Sequence, residues 1–174
     1  MKTALRYALL SWLLIACIAT SALCQLPTGN GAPDFKLKNI AGKTVRLADF
    51  KGTPVLMVIG TTWCPGCKAQ LSELCEISQF LNDNRIPVVD IFIQEPAKTV
   101  RNYLKSKKLP TSFEALLDDG QVHRAYRVYP IPRLLILDRS GRIVQDTLGL
   151  EAAEITAILQ RLIDQKPAPA PLDK

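Results

Sequence analysis

Histidine and cysteine are both scarce in this sequence, and their scarcity excludes several kinds of protein. His123 is the only histidine in 174 residues, and only Cys64, Cys67 and Cys75 follow the first 24 residues. Three cysteines are too few for the framework of disulfides that holds a small cross-linked protein together. A structural zinc site takes four ligands, and neither His123 nor Cys75 is spaced as the second pair of such a site. We therefore expect no metal ion and no cofactor.

The sequence also lacks internal repeats and any motif typical of nucleic-acid binding. Its formal net charge is +6, which becomes +4 when Lys2 and Arg6 are left out. A charge of this size suits an acidic partner or a membrane surface but requires neither. We expect no nucleic-acid partner.

Acidic residues are absent from residues 1–24. Met1–Arg6 carries two positive charges and Tyr7–Leu23 is almost entirely apolar, which is the order of charges and apolar residues in an export signal. Three fates remain open: cleavage near Ala22, cleavage before Cys17 with attachment of a lipid, or retention as a membrane anchor. Each fate places the remaining chain in the periplasm or another extracytoplasmic compartment, soluble or tethered, where disulfides persist.

The pattern of apolar residues beyond this leader predicts one α/β domain at residues 32–165, between a linker at 25–31 and a disordered Pro/Ala tail at 166–174. Alternating segments predict an N-terminal β-hairpin, and continuous apolar runs predict buried strands. The expected fold is a mixed central sheet with helices on both faces. The predicted strands are Phe35–Lys38, Val45–Leu47, Val55–Ile59, Pro87–Ile93, Phe113–Leu117, Leu134–Leu137 and Arg142–Leu148. The predicted helices cover Cys64–Leu81, Lys98–Lys107, Gln121–Tyr126 and a last helix with Glu151 and Glu154 in its first turn and its apolar face at Ile155–Ile163.

The strongest motif is the segment Trp63-Cys64-Pro65-Gly66-Cys67 at a predicted helix start, where proline is tolerated in the first turn. Two thiols at this spacing can close a small disulfide ring. Free backbone N–H groups and the helix dipole at Cys64 favour the thiolate, which is the form that attacks disulfides. We expect Cys64 to face solvent as the attacking thiol and Cys67 to be more buried as the resolving thiol. An inert structural disulfide is the alternative for this pair.

Further motifs surround this one, and together they resemble the thioredoxin-like reductases of the TlpA/ResA type in the AhpC/TSA superfamily. The resemblance covers about residues 32–165 and implies a thioredoxin-like fold. The matching segments are Ala32–Phe35, Gly42–Val45, Leu47–Gly52, Thr61–Cys67, Ala125–Pro132 and the LLILDRSGRIV stretch from Leu134.

The resemblance also implies how a substrate binds. In this family a cis-proline loop lies against the cysteine pair and pairs its backbone with the incoming chain, which implies a cis peptide bond before Pro132. A cis-proline is typical of such tight turns. The implied substrate contacts are Trp63, Pro65, Gly66, Ile131 and Pro132.

Proteins of this type reduce disulfides in apocytochrome c or in other exported proteins, with electrons from a membrane thiol carrier. The resemblance therefore implies protein disulfides as substrates, and it makes reduction the favoured direction of electron flow. A disulfide-forming oxidase remains the alternative within the same class, because the residues between the cysteines do not fix the reduction potential.

The sequence departs from the family at the acids that handle the proton of the second cysteine. Gln70 stands where such reductases often keep an acid, and Val58 stands at the position of the buried aspartate of thioredoxin. Neither usual carboxylate is therefore expected to take the Cys67 proton. Arg133 replaces the usual threonine after the cis-proline, and our hypothesis is that it stabilises the Cys64 thiolate.

Two functions from other classes stay open. A thiol peroxidase of the peroxiredoxin type shares the fold, and Thr61 fits its motif, but Met57 stands where that motif has proline. A non-enzymatic copper-binding chaperone would use Cys64 and Cys67 with the distant His123, because soft thiolates suit Cu(I).

Overall fold

A computed structural model describes residues 25–165 of the chain. The predicted export signal or anchor and the predicted Pro/Ala tail lie outside these residues. Within the described part, no helix combines the length and the apolar character that crossing a membrane requires.

The described residues form seven strands and five α-helices. The strands are β1 Lys36–Asn39, β2 Thr44–Arg46, β3 Val55–Gly60, β4 Val88–Ile93, β5 Phe113–Asp118, β6 Arg133–Leu137 and β7 Ile143–Thr147. The helices are α1 Pro65–Glu76, α2 Ser78–Asp83, α3 Ala97–Leu104, α4 Gln121–Ala125 and α5 Ala152–Asp164, and a 3-10 helix covers Leu47–Phe50.

The strands form one mixed sheet in the order β2-β1-β5-β4-β3-β6-β7. The three central strands β5, β4 and β3 run parallel, and β1, β2, β6 and β7 add antiparallel pairs at the two sides. Parallel strands need crossover connections. Here α1 and α2 connect β3 to β4, and α3 connects β4 to β5. Because β3 and β4 are covered on both faces, their sequences are almost uniformly apolar. The expected mixed sheet with an N-terminal hairpin is confirmed.

Alternation along the strands divides the core between the two faces of the sheet. One face packs against α1, α2, α3 and α5, which contribute residues such as Leu74, Leu81, Val100 and Leu159. The other face is covered by the short α4, the 3-10 helix and the loops beside them, with Tyr126 at its centre. Helices therefore lie on both faces, but they are long on one face only.

Two local features differ from the sequence expectation. The helix predicted over Cys64–Leu81 is divided at Ile77, whose φ and ψ of −91° and 13° end α1 and begin α2. The segment 25–31, expected as a linker, lies against the domain: Gly29 N–H donates to the Ile143 carbonyl at 2.8 Å, and Gly31 forms a β-bridge with Arg142.

Candidate active site

The two cysteines lie where β3 ends and α1 begins. Cys64 is the N-cap of α1, with extended φ and ψ of −70° and 124°, and Pro65 occupies the first helical position. Proline suits this position because its φ is already helical and its missing N–H would have no helical partner. The Cys67 N–H donates to Cys64 Sγ at 3.3 Å. A backbone donor at a helix N-terminus therefore points at this sulfur, which is the arrangement that stabilises a thiolate.

Cys64 does not face solvent as the sequence suggested. Its side chain is 6% exposed, and that of Cys67 is 8% exposed, so both thiols are buried to a similar degree. The loop before β6 covers Cys64, and its thiol lies 3.9 Å from the carbonyl oxygen of Ile131. The expectation failed because this cover comes from a segment more than 60 residues away in the chain.

Cys67 lies directly over the end of β3. A Cβ built on Gly60 would stand 2.6 Å from Cys67 Sγ, so only glycine leaves room for the sulfur at this position. Burial, together with a hydrogen bond to the Cys64 side chain, raises the pKa of Cys67 to about 12. Cys67 therefore keeps its proton at neutral pH unless another group removes it. The two thiols are unbonded in this structure, which represents the reduced form of the pair.

The loop that covers Cys64 contains the implied cis-proline. The Ile131–Pro132 bond is cis, as the resemblance implied, and the Tyr129–Pro130 bond is also cis, which the sequence did not indicate. Pro132 is buried and packs closely on α1, since a Cβ on Gly66 would lie 3.0 Å from Pro132 Cδ. The structure thus brings Gly66, Ile131 and Pro132 together around Cys64.

An exposed apolar rim is formed by Trp63, Tyr129 and Leu148. Trp63 is 68% exposed, so packing inside the protein does not account for it, and Tyr129 is 79% exposed. Leu148 lines a groove of about 340 Å³ that Gly66 and Pro132 also line. Trp63 precedes Cys64 in the chain, and Tyr129 precedes the loop whose Ile131 carbonyl oxygen lies against the Cys64 thiol. The sequence singled out Trp63 alone; Tyr129 and Leu148 lie in loops whose position only the fold sets.

Gln70 is not available to exchange protons with Cys67. Its side-chain amide donates to the Leu150 carbonyl at 3.1 Å, and its amide oxygen accepts from Leu150 N–H at 2.9 Å. A neutral amide serves this paired role, because it offers one donor and one acceptor. Gln70 therefore fixes the β7–α5 loop, which contains Leu148, against α1.

The hypothesis that Arg133 stabilises the Cys64 thiolate is wrong. Arg133 is fully buried and forms a two-pronged ion pair with Asp146 on β7, in which Nη2 lies 2.6 Å from Oδ2. Asp146 also accepts from Leu26 N–H at 2.7 Å. Because Arg133 is opposite Ile59 in the β3–β6 register, its side chain lies with that of Ile59 on the sheet face away from α1. The Asp146 carboxylate neutralises its charge there.

Two carboxyl groups near the cysteines were missed by the sequence analysis. Glu95 accepts from Thr62 N–H at 2.7 Å and from Thr62 Oγ1 at 2.5 Å, and so holds the segment just before Trp63. Asp90 lies inside β4 and is 5% exposed. Burial, together with the charge of Glu95, raises the pKa of Asp90 to about 8. One signal for Asp90 was available: it is the single charged residue in the apolar run Pro87–Ile93.

The remaining residues considered from the sequence do not join the site. Cys75 is half-buried on α1 beside the α3 core, and burial raises its pKa. His123 is exposed on α4. Among residues 25–165, no group of three or more His, Cys, Asp or Glu side chains is arranged to hold a metal ion.

Comparison with known proteins agrees with this geometry. Residues 28–146 match the model of the AhpC/TSA family. The chain belongs to the AhpC/TSA family. It is 30% identical over 126 residues to the thiol-disulfide oxidoreductase ResA of Bacillus subtilis, covering 72% of this chain and 69% of that protein. As a TlpA/ResA-like member with a thioredoxin fold, it is a thiol–disulfide oxidoreductase.

Solved structures resemble this AhpC/TSA member closely. A Chlorobium tepidum protein assigned as thiol:disulfide interchange protein DsbE aligns with a TM-score of 0.66 and 25% identity, covering 80% of this chain and 96% of its own. The exposed lipoprotein thioredoxin Etrx1 of Streptococcus pneumoniae aligns with a TM-score of 0.62 and 26% identity, covering 74% of this chain and 99% of its own. The thioredoxin-like fold is therefore confirmed.

Proposed function

We propose that this protein is exported and reduces disulfides in other proteins, with Cys64 as the attacking thiol and Cys67 as the resolving thiol. The observation that carries the proposal is the Cys67 N–H donated to Cys64 Sγ at a helix N-terminus, directly beneath the Pro132 loop.

The reaction follows from this arrangement. The Cys64 thiolate attacks one sulfur of the substrate disulfide, a mixed disulfide forms, and the other substrate sulfur leaves with the electron pair. Cys67 then attacks Cys64 Sγ and releases the second substrate sulfur. The product is a reduced substrate and a Cys64–Cys67 disulfide, which a dithiol partner must reduce before the next cycle.

The burial of Cys67 favours the reducing direction. A thiol of high pKa is a poor leaving group, so the disulfide that contains it resists reduction. Burial gives Cys67 such a pKa, about 12. In strong oxidants of this fold the reduced form is the stabilised one, so their disulfide is easily reduced. A Cys64–Cys67 disulfide in this site should therefore form readily at the expense of a substrate disulfide.

The apolar rim supports a protein as substrate. Trp63, Tyr129 and Leu148 lie exposed around the covered Cys64, and such aromatic side chains anchor protein partners. We propose that Trp63, Pro65, Gly66, Ile131 and Pro132 contact the substrate chain near its disulfide. Apocytochrome c is one candidate substrate, and a membrane thiol carrier is the candidate source of electrons.

Export is supported by the leader and by a relative. Residues 1–24 have the charge order of an export signal. The Streptococcus pneumoniae relative is described as an exposed lipoprotein. We propose that the domain works in an extracytoplasmic compartment, released or tethered by its N-terminus.

Three single substitutions test the roles of the cysteines. Cys64→Ser should abolish reduction of a protein disulfide, and Cys67→Ser should accumulate a mixed disulfide through Cys64 that is visible on a non-reducing gel. Cys75→Ser is the matched control, because Cys75 lies on the same helix as Cys67 and outside the site. Full activity of Cys64→Ser would refute the proposal.

The direction of electron flow is tested by the reduction potential. Equilibration of the Cys64–Cys67 pair with glutathione should give a value near the thioredoxin value of about −270 mV. A value near that of DsbA, about −120 mV, would make the protein an oxidant instead. Turnover of hydrogen peroxide with loss of the Cys64 thiol would favour the peroxidase.

A further inference from the structure

Asp90 is a buried carboxyl group with no structural partner. It is 5% exposed, yet within residues 25–165 no group forms a hydrogen bond with its side chain. The contrast with Asp118 on the neighbouring strand is clear, because the equally buried Asp118 accepts from Val122 N–H at 2.8 Å and caps α4. Asp118 has a structural role that Asp90 lacks.

The sheet register aims Asp90 at the cysteine pair. Asp90 pairs with Val58 in the parallel β3–β4 register, and Phe92 pairs with Gly60. Alternation along β4 places Asp90 on the same face as Phe92, which packs with Leu71 of α1. Cys67 Sγ lies over Gly60 on that face, so Asp90 is its diagonal neighbour on the adjacent strand. Strand spacing and rise put the backbone positions of Asp90 and Gly60 about 8 Å apart. The Asp90 carboxyl group is near enough to act electrostatically on the Cys67 thiol.

The charges around Asp90 come from three elements. α1 contributes Cys67, α3 contributes Tyr103, and the loop after β4 contributes Glu95. Cys75 of α1 acts on Tyr103. Burial raises the pKa of Tyr103 to about 12, with a further contribution from Asp90, so its hydroxyl stays protonated at neutral pH. One cation joins the cluster at its edge, where the Lys107 ammonium lies 5.5 Å from the centre of the Tyr103 ring.

We propose that Asp90 exchanges the proton of Cys67 during each half of the redox cycle. The inference rests on the proposed function and names the group that serves the resolving thiol, a role that the sequence left without a candidate. It places the acid on β4, opposite Val58, the residue that stands at the position of the buried aspartate of thioredoxin.

The proton and the electrons balance in both directions. When the protein reduces a substrate, the Cys67 S–H proton passes to the Asp90 carboxylate, and the freed electron pair of Cys67 forms the bond to Cys64 Sγ. The bond between Cys64 and the substrate sulfur breaks, and its electron pair leaves on the substrate. When a dithiol partner reduces the Cys64–Cys67 disulfide, its thiolate attacks Cys64, Cys67 leaves with the electron pair, and Asp90 returns the proton.

The ionisation of Asp90 makes the exchange visible as a pH dependence. Burial raises the pKa of Asp90 to about 8, so its proton-accepting form increases as the pH rises from 7 to 9. Release of the substrate from Cys64 should accelerate across this interval and then level off. The reverse step needs the protonated acid, so it should be fast below pH 8 and slow above it.

The test is a single-turnover measurement on the full chain. The reduced protein is mixed rapidly with an excess of a small aromatic disulfide, so that the Cys64 mixed disulfide forms first. Release of the second aromatic thiol, which Cys67 displaces from Cys64, is then followed between pH 6 and 10. Asp90→Asn keeps the side-chain shape and removes the ionisation. We expect it to slow release at pH 9 by about 100-fold, the low end of general acid–base effects, and to abolish the inflection near pH 8. Asp118→Asn is the matched control, a buried aspartate one strand away, and should keep the inflection.

A second variant separates a structural effect from proton exchange. Asp90→Asn with Val58→Asp moves the carboxyl group to the register partner on β3, and it should restore part of the rate and an inflection. If Asp90→Asn keeps both the wild-type rate and the inflection, Asp90 is not the exchanging group. In that case loss of activity in Cys64→Ser would still uphold the proposed function.

Discussion

Asp90→Asn should also change how the stability of the reduced protein depends on pH. In the folded state burial raises the pKa of Asp90 from 3.8 to about 8, whereas the unfolded chain has the ordinary value. Between these values the folded protein holds a proton that the unfolded chain has released. Stability therefore falls as the pH rises through this window, by about 1.4 kcal/mol per pH unit. Below pH 3.8 both states are protonated, and above pH 8 the loss is complete.

The magnitude follows from the width of the window that is measured. Between pH 5 and pH 8, wild-type protein should lose about 4 kcal/mol relative to Asp90→Asn, which lacks this ionisation. The burial of the asparagine amide has its own cost, on the order of 1–3 kcal/mol, but that cost is equal at both pH values and cancels.

Urea unfolding followed by circular dichroism, with a phosphine reductant present, gives the four free energies that are needed. We expect the difference between variant and wild type to shift in favour of the variant as the pH rises. A difference that stays constant within about 1 kcal/mol would show that Asp90 is not held protonated by its surroundings, and would refute the reasoning.

Three further substitutions test other parts of the site. Gly60→Ala places a Cβ 2.6 Å from Cys67 Sγ, so formation of the Cys64–Cys67 disulfide should slow by about 100-fold while alkylation of Cys64 continues. An unchanged rate of disulfide formation in stopped-flow fluorescence would contradict the close packing of Cys67 on Gly60. Arg133→Met leaves the buried Asp146 carboxylate without its partner and should cost about 3–5 kcal/mol in urea unfolding, most of which the added Asp146→Leu should restore. Trp63→Ala removes the exposed indole beside Cys64, and it should raise KM for a protein disulfide by about 10-fold without changing KM for a small aromatic disulfide. Equal effects on both substrates would argue against a role of Trp63 in docking a protein.

The local chemistry of the cysteine pair could be predicted from the sequence. Pro65 suits the first turn of a helix and the apolar run before it indicates a buried strand, so the position of Cys64 at the N-terminus of α1 follows from short-range rules. The family resemblance added the cis bond before Pro132. These features depend on residues that are close in the chain or on motifs that resemble those of a known family.

The environment of the pair was decided by the tertiary structure. Cys64 is covered by the loop that precedes β6. Arg133 contacts Asp146 only because β6 and β7 pair in one particular register. Asp90 lies near Cys67 because β4 pairs with β3 in parallel and presents its even-numbered residues to α1. The period of apolar residues determines which side chains share a face of one strand. It does not determine which strands are neighbours or how they are aligned, and those two properties decide which charges meet in the core.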